Sequence, residues 1–326
     1  MEISNQPTSN ETRKGYWILL LAVVAGVLAA YVPLLLIIAP ALWAYAGVRT
    51  KPYWILVPAA AFAYGAFTLE TVTVAIALTA GALIVALLLS TLLTHGFSNS
   101  DTVLILCGVF LLMLYGAICL PELLNGNEAY AAIQSQVGDI RALYRASESQ
   151  LAQLNPEGVK LIMETLDTMY EGVPIAFVSV LIIFSSVLGL GNLLFFRAFC
   201  KKQEQLKLSP MRPFRDWTLP RSMTLGLFAM LIGSIIVEFT GWAFAESFSM
   251  TANILLGIPL FVQGICVLDF FIDRMQKNRT VVRTLTYIGL VVLYQFMLFP
   301  LVLVGCFEQI FRLRERLRGV PPRAAV

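Results

Sequence analysis

From Tyr53 to Thr94 the chain runs for 42 positions with a single charged side chain, Glu70. At a rise of about 1.5 Å per residue, roughly 20 apolar residues cross a bilayer core of about 30 Å. The run is long enough for two helical spans back to back, with Glu70 in the turn between them. Hydrocarbon offers backbone groups no hydrogen-bond partner, so apolar runs of this length read as helices. The whole chain follows the same pattern: 58% of it is hydrophobic and 13% charged, against about 25% charged in ordinary globular chains. A soluble protein this apolar would aggregate. The expected class is all-α, a polytopic transmembrane helical bundle of about 8–10 membrane segments.

The basic residues set the expected topology, because Lys and Arg accumulate on the cytoplasmic side. Residues 1–15 form a polar N-terminus ending in Arg13 and Lys14, read as cytoplasmic. The apolar run behind them is too long for a signal-peptide core, so it is read as an uncleaved first span. Tyr16 to Val48, broken by Pro33 and Pro40, reads as two short spans with a turn near Tyr31–Pro33, which returns Arg49 and Lys51 to the side of Arg13. Spans at 53–69, 72–94 and 102–120 complete an N-terminal bundle of five segments over 16–120. A C-terminal bundle is expected over 173–311. The loop Arg197–Arg221, with seven Lys/Arg and two acids, is cytoplasmic on this reading. Near the end, Leu285–Ile310 is interrupted at Pro300 and followed by a basic tail, 312–326, with five arginines. A single span would leave that tail outside; a hairpin or re-entrant turn bent at Phe299–Pro300 would return it to the cytoplasm, and this second reading is preferred.

The polar stretch 121–172 carries eight acids and three bases and falls on the extracytoplasmic side. Its apolar residues Tyr130, Ile133, Val137, Ile140, Tyr144, Leu151 and Leu154, with Ser147 filling one slot, alternate spacings of three and four, a helical stripe. Asn155–Pro156 reads as a helix N-cap with proline in the first turn. A second helix follows with Val159, Ile162, Met163, Leu166 and Met169 along one side. Two helices joined at Leu154–Pro156 are expected. They form an antiparallel pair that buries its own stripe, a partner-docking surface or a lid over an external cavity, or a helix lying on the membrane surface. The acidic polar face argues against anionic lipid.

Polar groups inside spans are costly and therefore informative. Glu238 is expected about one turn from the middle of the seventh span, facing the bundle interior. The eighth span contains Asn253, Gly257, Pro259, Gln263 and Gly264, the composition of a kinked or broken helix. Gln295 is a further polar group at depth. Glu238, Gln263, Asn253 and Gln295 are the candidate substrate-binding residues, weighed against structural pairing and a simple proline kink. Asp269 and Asp273 are expected to pair with Arg274 or with the basic loops. The spacings Ala22-x-x-x-Gly26, Ala77-x-x-x-Gly81 and Ser185-x-x-x-Gly189 read as helix-packing sites.

Other chemistry finds little support. The five cysteines form no C-x-x-C pair and read as buried small hydrophobes. A single histidine, His95, argues against a His-based metal site. There is no phosphate-loop motif, no H-E-x-x-H and no G-x-S-x-G. No cofactor and no catalytic role are expected. With a net charge of +3 and no long basic block, no nucleic-acid partner is expected either.

In the C-terminal half three stretches follow one another: Phe214-Arg-Asp-Trp-Thr-Leu-Pro220, Phe261-Val-Gln-Gly-Ile-Cys-Val-Leu-Asp269, and Gly305-Cys-Phe-Glu308 ahead of an arginine-rich tail starting at Arg312. This order resembles the YybS-like family of bacterial multi-spanning membrane proteins, a domain of unknown function. There a W-x-x-P motif, a Q-G-x-x-V span and a G-x-x-D/E before terminal arginines recur. The resemblance covers residues 210–316; the N-terminal spans match in pattern only. Glu308 stands where the family carries Asp, and the external insertion is longer than usual. The resemblance implies the bacterial inner membrane. It also implies a distant similarity to the membrane substrate-binding subunits of energy-coupling-factor transporters, which bind a small solute from outside and rely on a separate ATPase module.

Two functions follow as expectations. One is a solute-binding or transport subunit without its own ATPase. The other is a membrane scaffold or accessory protein, with a protein partner at 127–167 or 197–221.

Overall fold

A computed structural model describes residues 9–93, 95–201, 213–219, 221–242, 245–274 and 279–318. Side chains are described there except at 9–14, 149–154, 221–223, 227, 247 and 294–295. Among the described residues the chain is helical apart from short turns and the segment 213–219, without strands. Among the described residues five helical segments are long and apolar enough to cross a membrane: Pro52–Leu69, Val72–Leu92, Asn99–Leu124, Pro156–Cys200 and Phe248–Arg274. Two shorter apolar helices, Gly15–Tyr31 and Thr224–Thr240, and one bent pair accompany them. The chain divides into two units, Met1–Ser209 and Pro210–Val326. The division falls in the basic loop rather than at the insertion, because one unbroken helix carries the insertion into its span.

The first unit begins with α1 (Ser9–Tyr31), a 3-10 turn at Pro33–Ile37 and α2 (Ala39–Arg49). The break lies at the expected place, since Pro33 and Pro40 cannot donate to a helical ladder. Helix α2 is mostly buried rather than lipid-facing. Then come α3 (Leu56–Leu69) and α4 (Val72–Leu92), with Glu70 exposed in the turn between them. Next are α5 (Asn99–Leu114), a π-helical turn at Tyr115–Cys119 ahead of Pro121, and α6 (Leu120–Leu124). Ser98 caps α5 by accepting from the Asp101 N–H at 3.1 Å.

Two helices follow, α7 (Ala131–Leu154) and α8 (Pro156–Cys200). The predicted Asn155 cap is present: its Oδ1 accepts from the Gly158 N–H at 2.9 Å. Helix α8 has 45 residues, about 68 Å at the helical rise. That is more than twice a bilayer core, so its first half projects as an arm with α7 packed along it. Pro174 lies inside α8 without breaking it. The three small-residue spacings all sit at helix crossings. Gly26 faces the Pro58 carbonyl, Ala77 and Gly81 face Gly116 and Met113, and Gly189 faces the backbone of Cys107.

The second unit comprises a strap over 213–219, α9 (Arg221–Thr240), α10 (Ala245–Arg274), α11 (Arg279–Val292), α12 (Tyr294–Phe311) and the short α13 (Leu313–Leu317). Helices α10 and α12 touch backbone to backbone. A Cβ on Gly264 would lie 2.1 Å from the Leu301 carbonyl oxygen, and one on Gly305 would lie 2.0 Å from that of Leu260. The expected bend at Phe299–Pro300 falls instead at Leu293, where the axes of α11 and α12 turn by 117°. Leu293 has left helical geometry at φ −104°, ψ 23°, and its carbonyl accepts from both Phe296 and Met297. Pro300 forfeits one helical bond and stays within α12.

Arg283, near the start of α11, reaches Asp269 at 2.7 Å. Beyond α12, Arg274 donates to the Leu317 carbonyl at 2.7 Å and Arg318 lies 4.9 Å over the Phe270 ring. Residues 279–311 therefore leave from and return to one end of α10, the geometry of a hairpin.

Candidate functional site

The four sequence-nominated residues do not converge. Glu238 is exposed and lies two residues before the end of α9, beside the turn at Gly241, where φ is +65°. It does not face the bundle interior as expected, because α9 stops at Thr240 and Glu238 falls in its last turn rather than near the middle of a span. Asn253 is also exposed. Gln263 is buried, and its Oε1 accepts from the Leu219 N–H at 3.2 Å while its Nε2 has no partner. It pins the strap to α10 rather than meeting Glu238 or Asn253. The side chain of Gln295 lies outside the described residues. Helix α10 is continuous through Pro259, so the broken-helix alternative gives way to an unbroken helix with an internal proline.

The polar centre of the second unit lies instead around the C-terminal ends of α10 and α12. Arg314 and Glu308 form an ion pair in which both residues are less than 5% exposed. Arg314 Nε donates to Glu308 Oε1 at 2.8 Å, and the Arg314 backbone N–H donates to Oε2 at 3.3 Å. Arg314 Nη1 donates to the Arg215 carbonyl at 2.7 Å, and its Nη2 has no partner. A buried pair of this kind survives desolvation only when further hydrogen bonds complete it. The turn that folds Arg314 back onto Glu308 is made by Arg312, in the left-handed region at φ 49°, whose N–H donates to the Glu308 carbonyl. Such a conformation costs a non-glycine residue about 1–2 kcal/mol.

Around this pair the carboxylates of α10 are fully engaged. Arg215 of the strap meets Asp273 at 2.6 Å, Arg279 lies 3.6 Å from Asp273, and Arg283 bonds Asp269. Asp216 pairs with Arg318. Asp269 and Asp273 thus pair with the basic loops, one of the two expected arrangements, while Arg274 turns to the Leu317 carbonyl. A cleft of about 290 Å³ opens here, lined by Asp216, Thr218, Glu308, Arg314, Glu315 and Arg318. Sequence reading missed the Glu308–Arg314 pair and the cleft. A signal was present, since Arg215, Gln263, Asp269 and Glu308 all lie in the three stretches that carry the family resemblance.

The arm of the first unit is a second feature. The two helices run antiparallel: Arg141 and Arg145 both meet Asp167, Arg141 lies 5.2 Å over the Tyr170 ring, and the rings of Tyr130 and Phe177 are 6.4 Å apart. The stripe is only partly covered. Tyr130, Ile133 and Val137 are half-buried, whereas Ile140 and Tyr144 are exposed. Leu143 and Leu161 are 70% and 65% exposed, and Ile162 and Met169 also face outward. Leu151 and Leu154 have side chains outside the described residues. Among the described residues no group of His, Cys, Asp and Glu is arranged to hold a metal ion.

The model of a family described as predicted membrane protein (DUF2232) matches residues 20–308. No curated protein and no solved structure matches the chain. The match spans most of the sequence, from the first helix to Glu308 of the buried ion pair, and the helices have the length and apolarity of membrane spans. The chain belongs to the DUF2232 family of predicted membrane proteins.

Proposed function

We propose that this multi-pass membrane protein is an accessory subunit that recruits a partner through its projecting α7–α8 arm. The observation that carries this reading is the outward-facing apolar set Ile140, Leu143, Tyr144, Leu161, Ile162 and Met169 on an arm that projects beyond a single span. Apolar side chains in hydrocarbon need no explanation, but on a polar projection they favour protein contact. The surrounding surface is acidic, with eight acids and three bases over 121–172. The occupant that complements it is a basic, amphipathic segment of another protein. A second copy of this chain would bring like charges together.

The placement that goes with this reading is a bacterial inner membrane, with the N-terminus and the basic loops in the cytoplasm and the arm outside. In the first unit, Arg197 bonds Asn99, Tyr45 packs on Phe199, and Gly15 lies against Thr50. Basic ends of successive helices therefore share one end, as the positive-inside rule requires. The YybS-like resemblance supports the same location.

Photo-crosslinking from Leu143 in the native membrane tests the docking reading. The expected product joins Leu143 to a net-basic segment of one partner and is lost in an Ile140→Ser/Leu161→Ser variant that keeps its spans assembled. Crosslinks only to this chain or to lipid, or an unchanged product in the double variant, would overturn it.

A solute-binding or transport subunit served by a separate ATPase module is the second reading, in keeping with the distant energy-coupling-factor similarity. The cleft at the end of α10 and α12 favours it; the dispersed set Glu238, Asn253 and Gln263 does not.

A further inference from the structure

The basic residues at the shared helix end of the first unit differ from those elsewhere in the chain. Arg141, Arg145 and Lys160 of the arm each meet a carboxylate, as do Arg283, Arg314 and Arg318 of the second unit. Arg49, Lys51 and Lys201 are exposed and, among the described residues, meet none. Arg49 is nevertheless held: its Nε donates to the Tyr45 hydroxyl at 3.3 Å, and its guanidinium lies 5.8 Å from the centre of the same ring. Tyr45 packs on Phe199 with ring centroids 5.7 Å apart, which brings the end of α2 to the end of α8. Arg49 and Arg197 both lie within electrostatic range of Cys200, the residue before Lys201. Arg197 is fixed on Asn99, and the Lys51 ammonium sits 5.8 Å over the Tyr53 ring. Across 45–55, 95–101 and 195–201 there are four Lys/Arg and one acid, Asp101, which already accepts from the Ser98 hydroxyl at 2.6 Å. The positive-inside bias asks only that such loops carry bases. It does not ask that the bases be held against aromatic rings and kept apart from carboxylates.

We infer that this end of the first unit binds the phosphodiester headgroup of an anionic phospholipid, with Arg49 and Lys201 as its main contacts and Lys51 and Arg197 at its flanks. The surroundings favour a lipid over a free phosphate. Gly15 lies against Thr50, so Tyr16 and Trp17 open α1 at this same end, where they are 59% and 61% exposed. Tyr53 beside Lys51 is 57% exposed. Exposed Tyr and Trp rings lie at the headgroup level of a bilayer, which sets the neighbouring cations against lipid phosphates. A guanidinium already anchored by a ring loses little freedom on meeting a phosphate. A zwitterionic lipid would bring its own ammonium to the same cations and is the weaker ligand. The inference goes beyond docking at the arm and uses none of the arm's residues.

Native mass spectrometry on the full chain tests this, with titrated phosphatidylglycerol, phosphatidylethanolamine and the soluble glycerophosphoglycerol as probes. The expected result is one phosphatidylglycerol retained per chain, about tenfold tighter than phosphatidylethanolamine, with no retention of the soluble headgroup. Arg49→Gln/Lys201→Gln should weaken it on the order of 25-fold, about fivefold for each base removed from an anionic surface. Both side chains are exposed and meet no carboxylate, so an unchanged thermal transition is expected. Lys201→Gln alone, with a loss of about fivefold, reads the same site should the double variant be unstable. Arg145→Gln/Lys160→Gln removes the same charge from the arm and should leave retention unchanged. Equal retention of the two lipids, an equal loss in the arm variant, no change without Arg49 and Lys201, or glycerophosphoglycerol bound as tightly as the lipid overturns the inference. Crosslinking at Leu143 is independent of either outcome.

Discussion

The two units meet the same problem, polar groups beside lipid, in opposite ways. In the first unit the chain breaks between α1 and α2, leaving backbone groups without helical partners. One neutral side chain, Asn192 of α8, takes them: its Oδ1 accepts from the Ala41 N–H at 3.0 Å, and its Nδ2 donates to the Leu36 carbonyl at 2.8 Å. In the second unit α10 and α12 run unbroken through their prolines, and the polar groups are ionic, gathered where α10 and α12 end, with Glu308, Arg314 and Asp269 deeply buried among them. A neutral amide needs no counter-charge and can sit at the centre of a core. Guanidiniums and carboxylates are tolerable only as a closed network. The first arrangement holds a broken segment with one neutral group, while the second holds whole helix ends together through charge.

The sharpest way to break the second unit is through its helix crossing rather than its charges. Gly264→Leu or Gly305→Leu would drive a side chain into a facing carbonyl that a Cβ alone already approaches within about 2 Å. The clash is with backbone, so α10 and α12 must separate, and their separation dismantles the charged end. Expected is a loss of more than about 4–5 kcal/mol, the range of the severest point substitutions. Thermal unfolding in detergent by tryptophan fluorescence would detect it, with Trp217 and Trp242 as reporters in this unit. A Gly305→Leu protein with an unchanged transition would show that the crossing does not hold the unit together.

A smaller effect separates charge from packing. Glu308→Ala leaves Arg314 buried with no carboxylate, and removing one member of a buried pair costs about 3–5 kcal/mol. Replacing both, as Glu308→Leu/Arg314→Met, removes the uncompensated charge and should recover most of that loss. A double-variant cycle on the midpoint of unfolding reads the difference. If the double variant is as unstable as the single, the ion pair acts through shape rather than charge.

The success and failure of sequence reading follow the same division. The apolar helices were legible from length and apolarity, because hydrocarbon permits little else. The Asn155 cap, the turn at Glu70 and the break before Pro33 were legible because they rest on local chemistry. Glu238 was misplaced because an apolar run does not reveal its last turn, and a shift of a few residues moves an acid from the bundle to its rim. The bend at Leu293 was missed because proline is a conspicuous breaker while a leucine with ψ near zero carries no mark. The Glu308–Arg314 pair depends on the left-handed turn at Arg312, for which the sequence offers no glycine. The exposed face of the arm was half legible: the stripe was present, but how much of it the partner helix covers is a property of the pair. Asn192 went unremarked because an asparagine in a span has no periodic signature.

Asn192 also supplies the smallest and most diagnostic test of the comparison. Asn192→Leu keeps the branched heavy-atom skeleton and removes both hydrogen bonds to the broken segment, leaving the Ala41 N–H and the Leu36 carbonyl buried and unpaired. Unsatisfied buried groups cost about 1–3 kcal/mol each, and double-mutant cycles on interhelical bonds in membranes average nearer 0.6. A destabilisation of about 2–3 kcal/mol is expected. Asn192→Asp keeps the acceptor toward Ala41 but brings an acid against the Leu36 carbonyl, so it should recover stability only when protonated. Unfolding measured for both variants at acidic and neutral pH decides the point. Equal behaviour of Leu and Asp at every pH would mean that Asn192 fills space rather than pairing the break, and the contrast between a neutral staple and an ionic one would lose its first half.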